Sequence, residues 1–250
     1  MPKSSRLDKL LVDRGLAPTR ERAQALILAA KVLVNGQVLT KSGQSVPESA
    51  EVQVVGEVLP YVSRGGPKLE HALRTFHIDV DGMTAMDVGA STGGFTDCLL
   101  SFGARRVYAV DVGYGQLALK LRNDPRVVVL ERKNIRYLSG DAVAEPIEIV
   151  TIDASFISLK LVIPSVIKFL APGAILVALI KPQFEAGREE ASRGAGVIRD
   201  PHIHDMVCKS ISEFVMGLDF EVLGLDPSPI LGPKGNREFL IAAVAANSGF

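Results

Sequence analysis

Seven short apolar runs recur along the last three quarters of the chain, and helical segments fit between most of them. This alternation predicts a doubly wound α/β sheet that is mostly parallel. A short loop that contains Gly232, Pro233, Gly235 and Asn236 joins the last two runs, so we expect a hairpin and an antiparallel final strand. The predicted strands are Ala85–Val88, Val107–Val110, Val127–Leu130, Ile149–Ile152, Ile175–Ile180, Glu221–Leu225 and Phe239–Ala245.

The bulk composition is that of an ordinary globular protein. The chain has 250 residues, of which 47% are hydrophobic and 22% charged, which suits one large domain or a large and a small one. The longest apolar stretch, Leu161 to Ile180, is broken by Pro164, Lys168 and Pro172, so it predicts a helix and a buried strand rather than a membrane span. The two cysteines show no ligand spacing and the N-terminus has no apolar signal region, so we expect a cytoplasmic protein without a metal site.

Charge is unevenly distributed along the chain. Residues 1–45 carry eight Lys or Arg and three acidic residues, although the whole chain has a net charge of zero. A basic module attached to a slightly acidic larger one favours an anionic polymer as partner. A solvated basic face with no partner is the alternative.

The sequence pattern of the basic module predicts two short helices followed by a hairpin. Leu7, Leu10 and Leu11 have helical spacing, Thr19 is a plausible N-cap of a second helix, and Asn35-Gly36 predicts a type I′ hairpin turn. The segments R-L-D-x-x-L, T-R-x-x-A and V-x-V-N-G occur in this order, and together they resemble the S4-like RNA-binding domain. The resemblance implies a small α+β RNA-binding domain at residues 1–58, a linker at 59–64 and a larger domain at 65–250. The candidate RNA contacts are Arg6, Arg20, Arg22, Lys31 and Arg64.

A glycine-rich turn follows the first predicted strand of the larger domain, in the run MDVGASTGGFT. Its G-x-x-x-G-G spacing differs from the dinucleotide fingerprint, and with the terminal hairpin it favours S-adenosylmethionine over a nicotinamide cofactor. Asp111, at the end of the second strand, can accept hydrogen bonds from ribose hydroxyls, and Asn134 can contact the adenine edge. Turn formation and capping are the alternatives for both side chains. Asp87, which precedes the turn, can orient it and meet the positively charged amino group of S-adenosylmethionine. The remaining candidate cofactor contacts are Gly89, Ser91, Gly93 and Gly94.

Four charged residues lie at or beside the ends of predicted strands and helices. Asp153 and Lys181 end the fourth and fifth strands, Glu238 opens the last one, and Lys68 starts the helix that precedes the first. Ligands bind at the carboxyl ends of strands in open α/β sheets, so we expect these side chains to meet in one pocket. Taken singly, each has another explanation: a solvated helix residue for Lys68, an end-cap for Lys181 and an edge-strand charge for Glu238.

In this order the four residues resemble the Lys-Asp-Lys-Glu tetrad of FtsJ-like ribose methyltransferases. With the N-terminal module, the whole chain resembles the TlyA (hemolysin A) family, most specifically in the runs VSRGGPKL, MDVGASTGGFT, DVGYGQL, KPQFE and KGNREF. The resemblance implies a Rossmann-like fold, S-adenosylmethionine as methyl donor, and the ribose 2′-OH of a cytidine in ribosomal RNA as acceptor. It also implies ribosomal RNA or ribosomal subunits as partners.

Chemistry assigns a role to each member of this set. A ribose hydroxyl must lose or share its proton to become a nucleophile, so Lys181 is the candidate amine at the hydroxyl and Lys68 the candidate stabiliser of the developing oxyanion. Asp153 and Glu238 would hold the two lysines. Two other classes stay open: a non-catalytic RNA-binding assembly factor, and a membrane-active hemolysin, which the absence of a spanning or long basic amphipathic segment disfavours.

Overall fold

The computed structural model of the chain describes residues 4–17, 19–28, 30–55, 60–187, 190, 194 and 196–246. The chain divides into two compact units, residues 1–59 and 60–250. Part of the segment that the sequence assigned to a linker packs within the second unit. Tyr61 is buried there and its hydroxyl donates to Glu70 at 2.8 Å, while the Val62 N–H donates to the Asp97 carboxylate at 2.8 Å.

The N-terminal unit contains the two predicted helices and the predicted hairpin. The helices are α1 (Leu7–Asp13) and α2 (Arg20–Leu28), and the strands are β1 (Ser4–Arg6), β2 (Val32–Val34), β3 (Gln37–Val38), β4 (Ser45–Pro47) and β5 (Val52–Val54). Strand β2 pairs with both β3 and β5, and β1 pairs with β4, all antiparallel. Asn35 and Gly36 both have positive φ, as a type I′ turn requires, and Thr19 caps α2 by accepting from the Arg22 N–H at 3.2 Å.

The second unit contains a seven-stranded sheet with the order β11-β12-β10-β9-β6-β7-β8. Strand β12 runs antiparallel to both of its neighbours, and the remaining pairs are parallel. The strands are β6 (Thr84–Val88), β7 (Arg106–Asp111), β8 (Val127–Glu131), β9 (Ile147–Ile152), β10 (Leu170–Ile180), β11 (Phe220–Pro227) and β12 (Phe239–Ala245). All seven predicted strands are present, and the predicted terminal hairpin is confirmed.

Helices cover both faces of this sheet. One face packs against α3 (Gly65–Thr75) and α4 (Gly94–Ser101), and the other against α6 (Leu159–Val166) and α8 (Pro201–Met216). Two short helices, α5 (Leu119–Arg122) and α7 (Pro182–Glu185), complete the set of α-helices with described bounds. Burial on both faces explains why the central strands are almost continuously apolar in sequence. No helix within the described residues is long and apolar enough to cross a membrane.

Sheet register determines which residues meet at the carboxyl edge. Val88 of β6 is level with Ile152 of β9, Ile152 is level with Ala178 of β10, and Ile180 of β10 pairs with Phe239 of β12. The residues that continue these strands at this edge are Gly89, Asp153, Lys181 and Glu238. Residues far apart in sequence therefore leave the sheet at a common edge.

Candidate functional site

The four charged residues form two ion pairs at this edge, and both lysines are buried. Lys68 Nζ lies 2.5 Å from Glu238 Oε2, with the two side chains 9% and 0% exposed. Lys181 Nζ lies 2.6 Å from Asp153 Oδ1, with the two side chains 9% and 23% exposed. Pairing offsets the desolvation cost that burial imposes on each charge.

Strand alternation places these side chains on one face of the sheet. Leu179 and Leu240 belong to the core cluster beneath α3 and α4, and side chains two residues apart on a strand share a face. Lys181 and Glu238 therefore face the same layer of helices. Lys68 comes from the first turn of α3, where a cation opposes the helix dipole. The Glu238 carboxylate compensates for this unfavourable position.

Ser155, which no sequence pattern singled out, also holds Lys181. The Lys181 ammonium donates to Ser155 Oγ at 2.8 Å, while Asp153 Oδ1 accepts no hydrogen bond within the described part of the chain and acts on the ammonium as an ion-pair partner. Ser155 lies two residues beyond Asp153, in the run D-A-S-F after β9. That position, beside a predicted catalytic carboxylate at a strand end, is the signal that could have identified it.

Close backbone approaches explain the glycines of the turn after β6. A Cβ on Gly89, which has φ +85°, would lie 2.6 Å from the Asp153 carbonyl oxygen. Gly93 has φ +98° and is likewise restricted to glycine. A Cβ on Gly94 would lie 2.2 Å from Ser63 Oγ and 2.9 Å from the Gly66 nitrogen. The starts of α3 and α4 therefore touch beside the turn.

Asp87 is buried beneath this turn and lines neither of the two cavities described below. Its carboxylate is fully buried and accepts from the Thr96 N–H at 2.9 Å and the Thr96 hydroxyl at 2.7 Å. Burial raises the pKa of Asp87 to about 7, against the lowering effect of the Thr96 bonds. The geometry fits the predicted role of orienting the turn and does not support direct contact with a ligand amino group.

Asp111 and Asn134 line a cavity of about 500 Å³ together with Gly89, Ser91 and Asp153. Asp111 accepts from the Ser91 N–H at 2.7 Å and the Gly113 N–H at 2.6 Å, and Asn134 Oδ1 accepts from the Arg136 N–H at 3.0 Å. Both residues therefore cap turns, as the alternative explanation held. Each also presents polar groups to the cavity, which is of a size suited to a nucleoside.

A second cavity of about 290 Å³ adjoins the glycine turn. It is lined by Ser63, Arg64 and Gly65 at the start of α3, by Gly89 to Thr92 and Gly94 of the turn, and by Phe95 and Asp153. The Arg64 guanidinium donates to the Leu231 carbonyl at 3.0 Å. This predicted RNA contact therefore connects the start of α3 with the loop between β11 and β12. The two cavities together offer the glycine-rich backbone, the Asp111 carboxylate for ribose hydroxyls and the Asn134 amide for a base. This set of groups fits S-adenosylmethionine.

The remaining predicted RNA contacts lie in the N-terminal unit, where Asp8 organises two of them. Asp8 is fully buried, and its carboxylate accepts from Arg6 at 3.0 and 2.9 Å, from Arg20 at 3.2 Å and from Gln24 at 3.0 Å. These bonds, that with Arg6 above all, hold the pKa of Asp8 well below its usual range. Arg22 and Lys31 are half-buried in the same unit and are not part of this cluster. In the sequence, Asp8 was notable only as part of the R-L-D pattern, and its burial between the two arginines was not predicted.

This strand order, with a glycine turn beside a nucleoside-sized cavity, defines the class of S-adenosylmethionine-dependent methyltransferases. The chain belongs to the FtsJ-like methyltransferase family, whose model matches residues 61–245, and an S4 domain model matches residues 5–52. The expected fold, enzyme class and cofactor are thereby confirmed.

Close relatives extend over almost the whole chain. The chain is 50% identical to the Bacillus subtilis protein named "Putative rRNA methyltransferase YqxC", over 96% of this chain and 85% of that one. It is 43% identical to the Mycobacterium tuberculosis 16S/23S rRNA (cytidine-2'-O)-methyltransferase TlyA, over 96% and 90% of the two chains. A solved structure named "Putative hemolysin from Streptococcus thermophilus" superposes with a TM-score of 0.76 at 45% identity, over 99% and 90%. The resemblance to the TlyA family is confirmed.

Proposed function

We propose that this protein transfers the methyl group of S-adenosylmethionine to a ribose 2′-OH in ribosomal RNA, with a cytidine as the target nucleotide. The observation that carries the proposal is the pair of lysine–carboxylate contacts at the carboxyl edge of the sheet, one of which includes Asp153 from the lining of the nucleoside-sized cavity. The relative that is 43% identical is named for this reaction on 16S and 23S rRNA.

The bound cofactor supplies a methyl carbon that its sulfonium has already activated. The protein must therefore align a ribose hydroxyl with that carbon and take up or share the hydroxyl proton. Lys181 is the group proposed to meet the hydroxyl, because Asp153 and Ser155 fix its ammonium nitrogen at the edge of the cavity. Lys68, held by Glu238, is proposed to stabilise charge that develops on the oxygen.

Cofactor contacts are proposed for the glycine-rich turn after β6 and for residues that line the two cavities. Backbone at Gly89, Ser91, Gly93 and Gly94 would receive the cofactor, Asp111 its ribose and Asn134 its base. Asp87 would act one layer behind, through Thr96.

RNA recruitment is proposed for the basic N-terminal module. Residues 1–58 would bind the phosphate backbone through Arg6, Arg20, Arg22 and Lys31, residues 59–64 would link the modules, and residues 65–250 would catalyse transfer near Arg64. Ribosomal subunits in the cytoplasm are the proposed partners.

Methyl transfer to ribosomal RNA tests the function directly. The protein is incubated with labelled S-adenosylmethionine and ribosomal RNA or subunits, and the digested nucleosides are identified by mass spectrometry. We expect 2′-O-methylcytidine with the wild-type protein, and a loss of about 100-fold or more in rate for Lys181→Ala with cofactor affinity retained. RNA binding without any methylated ribose would point instead to a non-catalytic assembly factor.

A further inference from the structure

The turn at 232–236, which precedes Glu238, is held by hydrogen bonds within its own backbone. Between β11 and β12, the Gly232 N–H donates to the Asn236 carbonyl at 2.8 Å, and the Gly235 N–H donates to the Gly232 carbonyl at 3.1 Å. Glu238 follows Asn236 by two residues. The shape of this turn therefore sets the point from which the Glu238 side chain starts.

The Glu238 carboxylate also rests against this turn. Its Oε2 pairs with Lys68, whereas its Oε1 is buried and accepts no hydrogen bond from any described residue. A Cβ on Gly232 would lie 2.1 Å from Oε1, so the carboxylate occupies the space that any larger residue would need. A shift of the turn would move the carboxylate and, through the ion pair, Lys68.

The Asn236 side chain ties the turn to a second segment of the chain. It is 3% exposed, its Oδ1 accepts from the Ile198 N–H at 3.1 Å, and its Nδ2 donates to the Gly196 carbonyl at 2.9 Å. A primary amide can accept one bond and donate the other, whereas a carboxylate can only accept. The pairing therefore specifies the amide of asparagine rather than the shape alone.

His204 also binds the backbone of the 196–198 segment, and its ring packs against Phe239. The Ile198 carbonyl is 3.0 Å from His204 Nε2 and can only accept, so the ring nitrogen donates. His204 is 6% exposed on α8, and its ring centroid lies 5.4 Å from that of Phe239, the residue after Glu238. Residues on both sides of Glu238 are thus attached to the backbone at 196–198.

We propose that Asn236 is a positioning residue for the transfer reaction, an inference that rests on the proposed function. Its amide fixes the turn at 232–236 to the backbone of Gly196 and Ile198 and thereby holds the Glu238 carboxylate where it orients Lys68. Asn236 touches neither substrate in this scheme. Its contribution is to the geometry of the Lys68–Glu238 pair, and therefore to kcat rather than to cofactor binding.

The test changes one atom of the amide. Asn236→Asp keeps the acceptor for the Ile198 N–H but places an oxygen against the Gly196 carbonyl. We expect kcat to fall about tenfold, because small misplacements of catalytic groups are costly, while KM for S-adenosylmethionine stays within about twofold. Tryptic cleavage after Arg199 is expected to become several-fold faster, because the segment at 196–198 loses an anchor.

Asn123→Asp is the matched control, since Asn123 is exposed at the end of α5 and undergoes the same chemical change. We expect this control to match the wild-type protein in kcat and cleavage rate. A double variant with Gly232→Ala separates positioning from general destabilisation. Both changes act on the same carboxylate, so their combined loss of kcat should be smaller than the product of the single losses.

The outcomes distinguish the two proposals. A wild-type protein that transfers no methyl group would overturn the proposed function and the positioning role together. A normal wild-type rate with an unchanged kcat in Asn236→Asp, or multiplicative losses in the double variant, would overturn the positioning role alone.

Discussion

Both units of the molecule set basic side chains against carboxylates, but they expose the cations to very different degrees. The Arg6 and Arg20 side chains beside Asp8 are each 53% exposed. The Lys68 and Lys181 side chains are each 9% exposed. The carboxylate partner is common to the two regions, and the solvent access of the cation is what differs.

This difference matches what each kind of cation can do. A guanidinium keeps its charge and has five donors, so Asp8 can occupy some of them while the others face a phosphate. A lysine amine can exchange a proton and act at short range in a pocket with little water. The difference is the one that the proposed function requires, with exposed charge in the N-terminal unit for an RNA backbone and enclosed charge in the second unit for a reacting oxygen.

Exchanging the two kinds of cation gives the largest expected effect. Lys181→Arg should lower kcat by about 100-fold, because a guanidinium does not take up a proton and does not fit the place of an ammonium. Arg20→Lys should weaken RNA binding only about threefold, because the charge and its exposure remain. Methyl-transfer kinetics and RNA titrations measure the two effects. Comparable losses in both variants would break the comparison.

A smaller effect is expected when Asp8, the carboxylate between Arg6 and Arg20, is neutralised. Asp8→Asn should weaken RNA binding about fivefold at neutral pH, because Arg6 and Arg20 lose the partner that orients them. Asp13→Asn is the control, since Asp13 lies exposed on the same helix and loses the same charge. Added positive charge alone would tighten RNA binding in both variants. RNA affinities at two salt concentrations decide the matter, and tighter binding by Asp8→Asn would contradict positioning.

The smallest effect concerns Asp87, a buried carboxylate with hydroxyl and N–H donors from Thr96. Its pKa of about 7 lies above that of an unfolded aspartate, so between about pH 4 and 7 the folded state binds the extra proton and stability falls as pH rises. Asp87→Asn should remove up to about 1.4 kcal/mol per pH unit from this slope. Denaturant unfolding from pH 5 to 8 measures it, and an unchanged slope would refute the assignment.

The sequence predicted the elements better than their partners. All seven strands of the large sheet were predicted because their apolar runs are long enough to show, and Asp153 and Lys181 were singled out because two of these runs end at them. Which lysine pairs with which carboxylate depends on sheet register, which no local pattern encodes. The strands β1, β4 and β5 are as short as β2, but no Asn-Gly turn like Asn35-Gly36 marks them in the sequence. The burial of Asp8 was hidden because an acid in the first turn of a helix is ordinary on the surface.

The absence of a side chain at Gly94 lets the helix that carries Lys68 approach the turn after β6. Because Ser63 and the Gly66 backbone fill the space beside Gly94, the start of that helix forms part of the wall of the second cavity. Under the proposed function, a methyl donor bound in this cavity would touch the same helix that supplies Lys68 to the reaction.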